Sequence, residues 1–232
     1  MEREFSKPLT ELPKFLSTIS MVVDDTAFIL QKLIQAERKS PAIYAPTKDL
    51  FCRVLDGGFG FDDAIHQAHA LFEETERKCA VEVLEASERF LRGEQNAPIT
   101  AFPVMTYQIT NGMELSVSPV LLRHLNPKRL MVLHFWRTPL SSWQLSAAGT
   151  VLQSAIRKHQ PEYQFCEIDF ISVPFPEFAS RRRFERHTWA KLKPHDEAAM
   201  VRFWNRLLEA WTDYQRRGPR EIKRKRTAGL FD

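Results

Sequence analysis

The chain is poor in cysteine, in uninterrupted apolar sequence and in overall charge. Only three of its 232 residues are cysteines, Cys52, Cys79 and Cys166, far apart and without a CxxC pair. Neither a disulfide framework nor a cysteine zinc site fits that spacing, and the three read as small buried apolar residues. No stretch approaches the roughly 18 consecutive apolar residues of a membrane helix. The opening residues, MEREFSKPLTELP, have neither the apolar segment nor the cleavage site of a secretion signal. The expectation is a cytoplasmic protein with no membrane partner. The net charge is only +4, which is not that of a uniformly basic nucleic-acid binder.

What is present is an ordinary globular composition, 44% hydrophobic and 27% charged, with length for one sizeable core or a core plus a helical lobe. The charge is unevenly placed. Residues Arg216 to Arg226 hold seven basic residues and one acid, a net +6, and Arg181 to Lys193 hold six and one, a net +5, leaving −7 for the remainder. An acidic body with a basic face and tail follows from that distribution.

The pattern along the chain predicts a mixed α/β fold in three parts: a helical N-terminal lobe over 1–93, an α/β core with a C-terminal helix over 94–215, and a basic, flexible tail over 216–232. The first ninety residues read as helices separated at Ser40-Pro41, Ala45-Pro46 and Gly57-Gly58. One long helix is expected from Phe61 to about Leu91, because Phe61, Ile65, Ala68, Phe72, Cys79, Val83 and Phe90 keep nearly helical spacing. From Ala101 the period changes to two, and Asn111-Gly112 supplies the positive φ angles of a tight hairpin. Arg129 to Trp136 is almost continuously apolar, as a central strand covered on both faces requires. A helix capped by Ser141 or Ser142 and a strand over Phe165 to Val173 complete a strand-helix-strand unit. A last helix runs from about Asp196 to Gln215.

This order, together with Gly60-Phe61-Asp62-Asp63-Ala64-Ile65-His66 and Gln144-Leu145 at the head of the helix after the central strand, resembles the RecB-like branch of the PD-(D/E)XK nuclease superfamily. The resemblance covers residues 57 to 175 at most. It implies a Mg²⁺ site built from an Asp and a (D/E)xK, yet the first acid falls near Ser118 to Leu121 and the second motif on His134-Phe135-Trp136. Imidazole and indole cannot replace a carboxylate and an ammonium at a hard-cation site. The resemblance therefore implies a catalytically dead, nuclease-like copy with no cofactor.

Several clusters carry candidate chemistry. Asp62, His66, His69 and Glu73 lie at i, i+4, i+7 and i+11, a row that on one helix would hold a transition metal or simply form a solvated flank. Glu167 and Asp169 share one strand face and would bind Mg²⁺ or Mn²⁺ in an active nuclease, or pair with nearby arginines. Arg181, Arg182, Arg183 and Arg186, interleaved with Phe184, suit phosphate contact and base stacking. The tail residues Arg216, Arg217, Arg220, Lys223, Arg224, Lys225 and Arg226 suit nucleic acid or an acidic protein surface. Beyond them Leu230 and Phe231 resemble the end of the bacterial sliding-clamp-binding peptide, with Thr227 where that peptide opens on glutamine. The expectation is a non-catalytic subunit bound to nucleic acid or to a nucleoprotein complex. Two alternatives stand beside it: a divergent metal-dependent nuclease, and a scaffold with an acidic protein partner.

Overall fold

The computed structural model describes residues 43–94, 97–110, 113–117, 120–135, 139–175 and 179–217. It is a mixed α/β structure. Among the described residues three helices come first: α1 (Ala45–Leu55), α2 (Phe61–His69) and α3 (Glu74–Gly93). Seven strands follow, with α4 (Ser142–His159) after the fifth and α5 (Glu197–Arg217) after the seventh. The strands are β1 (Ile99–Ala101), β2 (Met105–Thr110), β3 (Met113–Val117), β4 (Leu121–Arg123), β5 (Arg129–His134), β6 (Glu167–Ser172) and β7 (Glu185–Thr188). Among the described residues no helix is long and apolar enough to cross a membrane.

Five strands form one sheet in the order β1-β4-β5-β6-β7, and β2 and β3 pair separately as an antiparallel hairpin. The apolar run from Arg129 lies at the centre, as its burial on both faces requires. Strand β5 runs parallel to β6, with α4 as the crossover between them, and every other neighbour in this sheet is antiparallel. Helix α4 starts where expected because Ser141 and Gln144 form a reciprocal capping box: Gln144 N donates to Ser141 Oγ at 3.2 Å and Ser141 N to Gln144 Oε1 at 2.8 Å. The glutamine that resembles a nuclease motif thus serves here in helix initiation. Inside α4, Gly149 is required, since a Cβ there would lie 2.0 Å from Cε3 of Trp189.

The long helix expected from Phe61 is instead two. Ala70 closes α2 with backbone bonds to His66 and Gln67, and Glu73 takes an extended conformation (ψ 122°) to open α3. Each helix then buries its own stripe, Phe61, Ala64 and Ala68 in α2 and Ala80, Val83, Leu84 and Leu91 in α3, while Phe72 in the break is 93% exposed. The turn before α2 uses Gly57 at φ 78°.

The described helices before residue 93 pack on the sheet that follows it. Phe51, Val54, Ala64, Leu84 and Leu91 of the helices share one core with Met131, Leu133 and Phe135 of β5 and Ile171 and Val173 of β6. The helices α1 to α3 and the sheet are therefore one compact unit, residues 43–195 of the described chain, and the described residues 196–217 belong to a second unit. In that second unit Met200, Phe203, Trp204 and Leu207 are buried along α5, and Asp196 caps the helix by accepting from Ala199 N at 2.6 Å.

Candidate nucleic-acid interface

Strand periodicity puts every second side chain on one face, and the register fixes which residues meet. Opposite Arg129 stand Glu167 and Arg123, and opposite Asp169 stand Met131 and Thr188. One sheet face therefore carries Leu121, Met131, Leu133 and Ile171 toward the helices and, increasingly toward its other end, Arg123, Arg129, Glu167, Asp169, Arg186 and Thr188, the two sets meeting where Met131 lies opposite Asp169 and Ile171 opposite Arg186. The charged end forms an alternating chain. Arg129 holds Glu167 at 2.8 Å and Asp169 at 3.2 Å; Arg186 holds Asp169 at 2.8 Å and Glu94 at 2.9 Å; Arg123 holds Glu94 at 2.5 Å and donates to its carbonyl as well. Thr188 Oγ1 donates to the other oxygen of Asp169 at 2.9 Å.

Burial pushes the Glu94 carboxyl up, but hydrogen bonds and charge from Arg123 and Arg186 outweigh it and hold the group below its ordinary range. Burial likewise works against the charge on Arg186, and Asp169 and Glu94 more than offset it, so that guanidinium is held above its usual value.

Glu167 and Asp169 share a face as the sequence predicted, yet their arginine partners are Arg129 and Arg186, not Arg181, Arg182 or Arg183. Asp169 is 2% exposed and both of its oxygens already accept from donors. A divalent cation would have to displace two guanidinium groups to reach it. The row Asp62, His66, His69 and Glu73 is broken, because Glu73 opens α3 while the other three lie on α2. On α2 the acids Asp62 and Asp63 occupy the first turn and His66 and His69 the last, as the helix dipole favours. Among the described residues no group of three or more His, Cys, Asp or Glu is arranged to hold a metal.

The arginine-rich segment is split by the fold. Arg182 turns inward: its Nη1 donates to the carbonyls of Phe135 at 2.9 Å and Val173 at 2.8 Å, and its Nε to Glu82 at 3.1 Å. Arg186 lies on β7 and belongs to the charged chain. These two carry contacts within the fold, which leaves Arg181 and Arg183 as the exposed arginines of the segment. Arg216, in the last turn of α5, is exposed as well. Arg220, Lys223, Arg224, Lys225, Arg226, Leu230 and Phe231 lie outside the described residues.

One feature was only half visible in the sequence. An open groove of about 660 Å³ runs between the C-terminal half of α3 and the approach to β7, lined by Arg89, Phe90 and Gly93 on one side and Arg183 and Phe184 on the other. The Phe90 and Phe184 rings stack at 4.7 Å and 25°, and Phe51 continues the stack behind Phe90 at 6.2 Å and 21°. Arg183-Phe184 supplied half of this signal in the sequence; Arg89-Phe90, some ninety positions earlier, reads there only as part of an amphipathic helix. No protein-family model matches the chain, and a search of curated proteins finds no match to it.

Proposed function

We propose that the protein is a non-catalytic, nuclease-like subunit that associates with nucleic acid, or with a nucleoprotein complex, through its exposed basic residues after position 180. The observation that carries this reading is the state of Asp169, buried and fully engaged by Arg129, Arg186 and Thr188. An acid used in that way sets the register of a sheet rather than holding a reactive cation. Arg181, Arg183 and Arg216 remain at the surface, where phosphate contact requires them.

The test is a mobility shift with short single- and double-stranded DNA and RNA. It compares the full chain with a variant carrying glutamine in place of Arg216, Arg217, Arg220, Lys223, Arg224, Lys225 and Arg226, with and without Mn²⁺. Binding that weakens steeply with salt and is lost in the variant, with the substrate left intact, supports the proposal. Metal-dependent degradation abolished by Glu167→Gln would replace it with the nuclease reading. Absence of binding in wild type leaves the acidic-partner scaffold.

A further inference from the structure

The groove beside α3 has the composition of a ligand site of its own. We propose that it binds single-stranded nucleic acid, with Arg89 and Arg183 contacting phosphates and the Phe184 ring, backed by Phe90, receiving a base. The proposal rests on the nucleic-acid reading above and adds to it a second site, outside the tail, with a preference for unpaired strands.

The first argument is charge. Where this unit needs an arginine for its own structure it supplies a carboxylate: Asp62 and Glu88 for Arg92, Glu82 for Arg182, Asp169 and Glu94 for Arg186. Arg89 and Arg183 are exposed on opposite sides of the groove, and among the described residues neither has an ion-pair partner. Glu94, the one acid in the lining, is already neutralised by Arg123 and Arg186.

The second argument is the ring stack. Phe51, Phe90 and Phe184 are nearly parallel, and Phe184, at the outer end, is only half-buried. A planar base can extend such a stack, and every base has a face to offer, so the site would be tolerant of sequence. A paired base would first have to leave its duplex, which disfavours double strands. The third argument is space. The volume is that of a ligand cleft, and a Cβ placed on Gly93 meets nothing within 4 Å, so the wall is open at that point.

The test is fluorescence anisotropy of a short labelled oligo(dT), and of a duplex of equal length, over a salt series, using the full chain. The Arg89→Gln/Arg183→Gln variant, altered only at exposed side chains, is expected to weaken oligo(dT) binding and reduce the log–log salt slope by about 1.4. Phe184→Leu keeps apolar bulk against Phe90 and is expected to weaken binding on the order of tenfold, while Phe184→Tyr retains it. Gly93→Leu, whose side chain starts in open space, is expected to block the groove with an unchanged thermal midpoint.

If all four variants bind oligo(dT) as wild type does while the tail-neutralised variant loses binding, the groove proposal falls and the tail reading stands. Equal competition by polyglutamate would reduce the groove to a site for any polyanion and overturn the base assignment. Failure of wild type to bind any nucleic acid removes both proposals.

Discussion

The two ends of the helix-covered sheet face use the same strands and opposite physics. At one end Met131, Leu133, Phe135, Ile171 and Val173 join the helices in an apolar core, where stabilisation comes from area removed from water and depends little on direction. At the other, Arg123, Arg129 and Arg186 alternate with Glu94, Glu167 and Asp169. There the gain from attraction is offset by the cost of desolvation, and what the arrangement chiefly contributes is geometric demand. A one-residue slip of β6 would carry Asp169 away from both of its arginines.

Substitutions can break this comparison from either side. Phe135→Ala, in the fully buried apolar end, is expected to cost the most, about 3–5 kcal/mol in denaturant unfolding, by opening a cavity beside Phe51. A cost under a kilocalorie would mean that the helices do not depend on that end. Asp169→Ala comes next, at about 3 kcal/mol, because it removes the buried carboxylate shared by two part-buried guanidinium groups and leaves Arg129 with Glu167 alone and Arg186 with Glu94 alone. Near-neutral behaviour would show that the charged end is solvated in solution.

Glu94→Gln has a smaller effect with a pH signature. The folded-state value of this carboxyl is held below its ordinary 4.5, so its contribution is fully present above that pH and is lost as pH falls through the lowered value. Thermal midpoints of wild type and variant should differ at neutral pH and converge in acid; a constant gap would remove the ionic explanation. Smallest is Glu167→Gln, expected to change stability by about 0–1 kcal/mol, since its side chain is 39% exposed and among the described residues its one ion pair is with Arg129. Asp169 and Glu167, two residues apart and alike in the sequence, would then differ severalfold in consequence.

Strong periodic signals carried most of the architecture. The antiparallel pair β2 and β3, central β5, capped α4, β6 and α5 all follow from apolar spacing and capping chemistry visible in the chain, while the turn expected at Asn111-Gly112 lies outside the described residues. The elements that escaped are short or polar. Strands β1 and β4 have three residues each, and β7 reads Glu-Arg-His-Thr, with no apolar alternation to reveal it. The break between α2 and α3 was hidden because Leu71 and Phe72 preserve the helical period through it.

The site was legible to the same degree. Period two placed Glu167 and Asp169 on one face, but their partners arrive from β5 and β7, through contacts that only the fold creates. Composition likewise does not separate Arg182 from Arg183, one facing the interior and the other solvent.

The inward turn of Arg182 bears on where any ligand can sit. In sheets with parallel strands, the usual place for a guest is the crevice just past the carboxyl ends of neighbouring strands. Here β5 and β6 are the parallel pair, and the carbonyls that follow them, Phe135 and Val173, are bound by this one side chain. The protein fills that crevice with one of its own side chains, and the recognition proposed above lies beside it, one residue along the chain, at Arg183.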